Sequence, residues 1–137
     1  MTMMSMHDQV ALLSQEHSNV ESRLFLLSDA LEESDDGDVR WREETVRDVL
    51  QYMAVHLLEH MKTEEETVFP YGTRMGLANL VTDLTNQHDT LRHDLSHLLE
   101  ELARNWPGMK EGGNAFVALL QDHIAQEETA FFPLIDA

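Results

Sequence analysis

Residues 60–70 read HMKTEEETVFP, and residues 123–133 read HIAQEETAFFP. Each string begins with His, places a Glu four positions on, follows it with a second acid and ends in Phe-Pro. A His and a Glu four apart lie on one face of a helix, about one 5.4 Å turn from each other. One helix of this kind offers a nitrogen and an oxygen to a single centre. Two such helices facing each other can hold a pair of metal ions.

The segments around these strings have the periodicity of four long helices. Ser34-Asp35-Asp36-Gly37-Asp38 separates the first two, and Pro70-Tyr71-Gly72 through Gly76 the second and third. Trp106-Pro107-Gly108 through Gly112-Gly113-Asn114 separates the last two. Gly, Pro, Asn and Asp stop and restart helices, and Ser5 and Asn114 are expected as N-caps. Alternating apolar–polar runs are absent, so strands are not expected. Short links make neighbouring helices antiparallel, which predicts an all-α, up-down four-helix bundle and one domain over residues 1–137.

The inward stripes follow steps of three and four. The first helix gives Val10, Leu13, His17, Val20, Leu24, Leu27 and Leu31. The second gives Val46, Leu50, Met53, Leu57, His60, Glu64 and Thr67; the third Leu77, Val81, Leu84, His88, Leu91, Leu95, Leu98 and Leu102. The fourth gives Phe116, Leu120, His123, Glu127, Ala130 and Leu134. Apart from Thr67, each polar interruption is a His or a Glu: His17, His60, Glu64, His88, His123 and Glu127. Glu16-His17 in the first helix matches Gln87-His88 in the third, as the second helix matches the fourth. The chain therefore reads as a helix pair repeated once, with approximate two-fold symmetry.

Composition narrows the function. The 137 residues are 42% hydrophobic, with 9 Lys and Arg against 26 Asp and Glu, for a net charge of -17. Such a surface repels nucleic acid and anionic membrane, and neither is expected as a partner. No apolar run is long enough to span a bilayer, and the opening MTMMSMHDQ lacks the basic and apolar character of a secretory signal. Cysteine is absent, which excludes disulfides, thiolate metal sites and thiol catalysis and fits a cytoplasmic protein.

A buried, unpaired carboxylate costs several kcal/mol, on the order of what a domain's net stability can bear. The seams hold two Glu and no Lys or Arg, so bound cations are the expected counter-charge. Four imidazoles and two carboxylates suit iron, and also manganese or zinc. If both glutamates bridge, each ion receives two His nitrogens and two Glu oxygens. A solvent-derived bridge then leaves room for a small molecule at each ion.

The set His17, His60 with Glu64, His88, and His123 with Glu127 resembles the pattern of the hemerythrin-like, HHE cation-binding family over nearly the whole chain. The resemblance implies a four-helix bundle carrying a non-haem di-iron centre: two iron ions (Fe2+/Fe3+) bridged by carboxylates and an oxo or hydroxo group. That centre would react with dioxygen or nitric oxide. Oxygen-carrying members have a fifth His one turn after the third-helix His, and typically an Asp on the fourth helix. This chain has Arg92 at the first position and Glu127 as the fourth-helix acid. It is thus similar to the four-His, two-Glu branch, associated with oxygen or iron sensing, nitric-oxide handling and repair of damaged iron centres. The expected function is binding or sensing of dioxygen or nitric oxide. Peroxide or nitric-oxide turnover, or iron-centre repair, stands as the enzymatic alternative, and a structural metal bundle as a third.

Other residues have secondary roles. His56 precedes His60 by one turn and could be a fifth ligand on one ion, a residue supporting a ligand from behind, or a partly exposed histidine near the site; Glu21 follows His17 by one turn and could be an occasional terminal ligand or a hydrogen-bond acceptor behind a ligand His. His7, His93 and His97 are expected on the surface. Met3, Met4, Met6, Met53, Met61, Met75 and Met109 read as core filler or tail and loop residues. Tyr52 and Tyr71 read as packing residues, and Trp41 and Trp106 as caps on the core.

Overall fold

The computed structural model describes residues 4–102 and 104–136; Met3 lies outside them. The elements are α1 (Met6–Glu32), α2 (Val39–Tyr52), α3 (Leu58–Glu66), α4 (Val68–Arg74), α5 (Ala78–Glu101), α6 (Trp106–Gln126) and α7 (Phe132–Ile135). A π-helical turn, Met53–Leu57, joins α2 to α3, and another, Glu127–Phe131, joins α6 to α7. With α4 following α3 directly, the seven elements make four rods in a ring, each of the long helices packing on two neighbours. The fold is the expected four-helix bundle, with no strand among the described residues.

The rod starts follow local chemistry. Ser5 Oγ accepts the Asp8 N–H at 3.1 Å, and Asp38 Oδ1 accepts that of Trp41 at 2.9 Å, each satisfying a helix-end donor. The expected cap at Asn114 is corrected. Asn105 is the cap, its Oδ1 accepting from Gly108 N–H, and Pro107 fits the first turn where no donor is needed. Gly112-Gly113-Asn114 is therefore helix interior. Glycine suits position 113 because α1 runs close: a Cβ there would lie 2.8 Å from Leu31 Cδ1. The break expected from Pro70 also moves. Pro70 and Gly72 are inside α4, and the turn comes at Gly76, whose φ of 89° suits glycine.

Two seams shift register at their ends. The π turn at Glu127–Phe131 inserts one residue into the helical spiral, with Phe132 N–H bonding back to Glu127 C=O. Phe131 and Ile135 consequently face inward, while Ala130 and Leu134, expected there, face solvent. In the other copy, Thr67 leaves helical geometry (φ -122°, ψ -77°), and Val68 replaces it in the core. Both irregularities precede a Pro that cannot donate to the helix ladder and would clash with a regular preceding turn.

The interior is divided. One apolar cluster contains Val20, Leu24, Leu27, Leu50, Met53, Met61, Leu91, Leu95, Phe116 and Ile124, among others. The second contains Val10, Leu13, Val68, Phe69, Val81, Leu84, Phe131, Phe132 and Ile135. On every rod a His or Glu sits between the two: His17 follows Leu13, Glu64 follows Met61, His88 follows Leu84, and Glu127 follows Ile124. The polar residues form a layer across the bundle.

One buried cation was not expected. Arg42, one turn before Val46, is 4% exposed. Its guanidinium lies 3.9 Å from the centre of the Trp106 ring and bonds to Asp35 at 2.8 Å. Trp106 thus closes the core as anticipated, whereas Trp41 is exposed. Met53, Met61 and Met109 are fully buried core residues, and Met4 and Met75 are exposed.

The close approach of α4 to the second π turn is testable. A Cβ on Gly72 would lie 2.6 Å from Cε1 of the fully buried Phe131. Gly72→Val should destabilise the fold by roughly 2 kcal/mol through overpacking, despite removing a helical glycine. Urea unfolding of the two proteins measures this.

Candidate metal centre

The α1, α3, α5 and α6 seams, with the first residue of the second π turn, bring all six expected ligands together. His17, His60, Glu64 and Glu127 offer ligand atoms within 4.8 Å of one another, as do Glu64, His88, His123 and Glu127. All six residues are buried, with both glutamates fully so. The two groups share the carboxylates and differ in their imidazoles. Glu64 Oε1 lies 3.4 Å from His60 Nε2 and 3.1 Å from His88 Nε2. Glu127 Oε1 lies 3.2 Å from His17 Nε2 and 3.0 Å from His123 Nε2. Each carboxylate therefore touches one His of each group.

The imidazole orientations are set from outside. His17 Nδ1–H donates to Glu128 at 2.7 Å, His60 Nδ1–H to Glu16 at 2.8 Å, and His88 Nδ1–H to Glu65 at 2.7 Å. His123 Nδ1–H donates to the Gln87 side-chain carbonyl at 2.6 Å. These acceptors hold the proton on Nδ1, so the Nε2 lone pair of each ring faces the centre, as a metal ligand requires. Phe132 stacks on His17 at 5.5 Å between ring centroids, and Phe69 on His88 at 5.0 Å. The Phe of each Phe-Pro thus packs a ligand ring carried by the opposite helix pair.

The donor set fits a pair of cations. Glu64 Oε2, Glu127 Oε2, His60 Nε2 and His123 Nε2 are buried without a hydrogen-bond partner, and the first two are acceptors only when ionised. Burial and the neighbouring Glu127 push the Glu64 carboxyl well above the usual range. Burial pushes Glu127 the same way, but its contacts with Glu64, His123 and His17 prevail and hold it well below. Without a cation the pair retains a proton, on the Glu64 side. Burial and the charge of His123 lower His88 to about 4, and burial with His17 lowers His60. Burial also disfavours charge on His17, but Glu127 and Glu128 outweigh it and raise its pKa.

The acceptors Glu16, Glu65, Gln87 and Glu128 were not anticipated as such. Their signal is adjacency: each is next to a ligand, in Glu16-His17, Glu64-Glu65, Gln87-His88 and Glu127-Glu128. At about 100° per residue, the neighbour of an inward ligand lies at the helix flank and reaches the next helix. Glu21 is exposed and takes no part in this network. His56 is also exposed; it lies against Tyr52 at 4.4 Å and belongs to neither ligand group. It lines a cavity of about 250 Å³ with Glu16, Asn19, Val20, Tyr52, Glu59 and His60. His7, His93 and His97 are exposed, as expected. Arg92 Nη2 bonds to Glu65 at 2.7 Å, and Nη1 to Asp89 at 3.3 Å.

An all-α bundle crossed by a layer of imidazoles and carboxylates is, by its chemistry, a cation-binding bundle. The family model described as "Hemerythrin HHE cation binding domain" matches residues 8–135, and the chain belongs to that family. No curated protein and no solved structure gives a match.

The protonation pattern sets the sign of a pH effect. The Glu64 proton must leave before its carboxylate accepts a cation, and acid favours the charged form of His17, which has no free Nε2 lone pair, so acid competes with metal. Apparent affinity for Zn2+ should rise from pH 5.5 to pH 7.5, with net proton release. Calorimetric titrations in buffers of different ionisation enthalpy count the protons; pH-independent binding without release would contradict this assignment.

Proposed function

We propose that the chain holds two iron ions between its helix pairs and binds or senses dioxygen or nitric oxide there. One ion would take His17 and His60, the other His88 and His123, with Glu64 and Glu127 bridging. The observation that carries this reading is the sharing of both carboxylates, each with one oxygen against both His groups and the other unpartnered. When bound, a bridged iron pair supplies reversible redox chemistry and coordination positions open to a small molecule.

The protein's own share is positioning and exclusion. The four outer acceptors fix the imidazole rings, so no rotamer search accompanies loading. Phe69, Phe131 and Phe132 seal the layer toward one end of the bundle, and Met61, Leu91 and Leu120 toward the other. The cavity beside His60 gives a small molecule an approach from solvent. Arg92, held by Glu65 and Asp89, stands where a carrier has its fifth His, which supports sensing or handling over dedicated oxygen carriage. The cysteine-free acidic composition supports a cytoplasmic setting without a nucleic-acid or membrane partner. No helix among the described residues is long and apolar enough to cross a membrane.

One observation favours a second reading. The approach cavity carries Glu16, His56 and Glu59, groups suited to moving protons or passing cations. Turnover of peroxide or nitric oxide, or delivery of iron to damaged centres, would use them. Steady-state assays against free iron separate this from simple binding.

The primary reading predicts about two iron atoms per purified chain and an optical spectrum that changes on adding dioxygen or nitric oxide to the reduced protein. His60→Ala should lose at least one of the two. Metal at about a thousandfold over its dissociation constant stabilises the folded chain by about 4 kcal/mol, so a chelator should lower Tm. A colourless protein with a chelator-insensitive Tm would overturn the proposal and favour a metal-free bundle, whereas a colourless protein whose Tm falls with chelator would favour a structural metal bundle.

A further inference from the structure

The helix-pair repeat makes the ligands symmetric but not what stands behind them. On the His17/His60 side, the two Nδ1–H groups donate to two carboxylates, Glu128 and Glu16. Among the described residues, the only further hydrogen bond to either is from the neutral Ser14 hydroxyl, to Glu128 at 3.1 Å. On the His88/His123 side, one acceptor is a carboxylate, Glu65, whose second oxygen is neutralised by Arg92 at 2.7 Å. The other is the amide of Gln87, itself fixed by donating to Gln126 Oε1 at 2.8 Å. Among the described residues, two carboxylates with no Lys or Arg paired to them back the first position. One carboxylate, one guanidinium and one amide back the second.

A carboxylate accepting from Nδ1–H makes the imidazole a stronger donor at Nε2 and adds negative charge close to a bound cation. An amide does neither to the same degree, and a guanidinium beside the carboxylate cancels much of its field. The cavity that reaches ligand His60 is lined by the same Glu16 and adds Glu59 on that side. Orienting partners of this kind are worth about 10- to 100-fold in metal affinity each.

We propose that the two metal positions are unequal, and that the position formed by His17 and His60 fills first with a divalent cation. The inference rests on the two-metal reading above and adds an order of loading to it. The decisive residue is Gln87, the repeat counterpart of Glu16. The shared carboxylates make the second ion feel the charge of the first, so stepwise binding alone would not show inequality. The identity of the first-filled position does.

The metal-free protein titrated with Co2+ and followed by proton NMR answers this, since a bound paramagnetic ion displaces the Nδ1–H resonance of each imidazole it ligates. His17→Asn and His123→Asn assign the displaced signals. At one equivalent, the His17 and His60 signals should exceed those of His88 and His123 by about 10-fold or more. Gln87→Glu should reduce that preference by about 10-fold. Equal filling in the wild-type protein, filling of the His88/His123 position first, or a preference untouched by Gln87→Glu would each overturn the inference while leaving the two-metal reading standing. Absence of displaced imidazole signals at any Co2+ level would refute both.

Discussion

Two carboxylates in a core without a partner cation govern this structure. Glu64 and Glu127 are fully buried and back to back, and the one buried cation identified, Arg42, is committed to Asp35 and Trp106. Like charges so placed cannot both ionise in a dry interior without compensation. The surrounding residues answer that constraint. Four imidazoles direct lone pairs to the same volume, which is useful only if a cation arrives. Three carboxylates and one amide on the bundle's flanks keep those lone pairs inward and leave the Nδ1 protons satisfied. The remaining positions at the layer's borders are apolar, so no competing donor can quench the glutamates.

The backbone irregularities follow from the same site. A regular helix through Glu127 would carry Ala130 and Leu134 inward. The π turn instead brings in Phe131, places Phe132 on His17, and accommodates Pro133. The Thr67 break does the equivalent service for Phe69, which covers His88. The two copies thus reach one outcome, an aromatic ring against an imidazole of the opposite pair, by different backbone routes. That difference argues that the stacking matters more than the local geometry that produces it.

Much of this was legible in the sequence, for identifiable reasons. The inward positions of His17, His60, Glu64, His88, His123 and Glu127 follow from steps of three and four, because helical periodicity is a strong signal over long segments. The four-rod architecture follows from the same steps and from short links. What was not legible depends on three-dimensional neighbours. Gly112-Gly113 looks like a break, but Leu31 occupies the space a side chain would need. Pro70 looks like a stop, but an irregular turn before it removes the clash. Arg42 looks like surface charge until Trp106 arrives from the other end of the chain. Glu16, Gln87, Glu65 and Glu128 read as solvated acids and an amide, since an acidic exterior is the ordinary meaning of so many carboxylates. Only the positions of facing helices turn them into orienting groups, whereas Glu21, with similar spacing from a ligand, has no such neighbour.

The polar layer is costly to the fold. Apolar side chains of similar volume in these six places would give a bundle at least as stable, since buried polar and ionic groups seldom improve on hydrophobic packing. The layer is nevertheless arranged so that the metal-free chain keeps its form: apolar clusters on both sides hold the rods together, and every ligand imidazole already has its outer hydrogen bond. The strain falls on the inner atoms alone, as a retained proton on the Glu64 side and unpartnered oxygens and nitrogens. A site built in this way does not need metal to fold its ligands into place. It holds them in a binding geometry and confines the cost to the atoms that a cation would relieve.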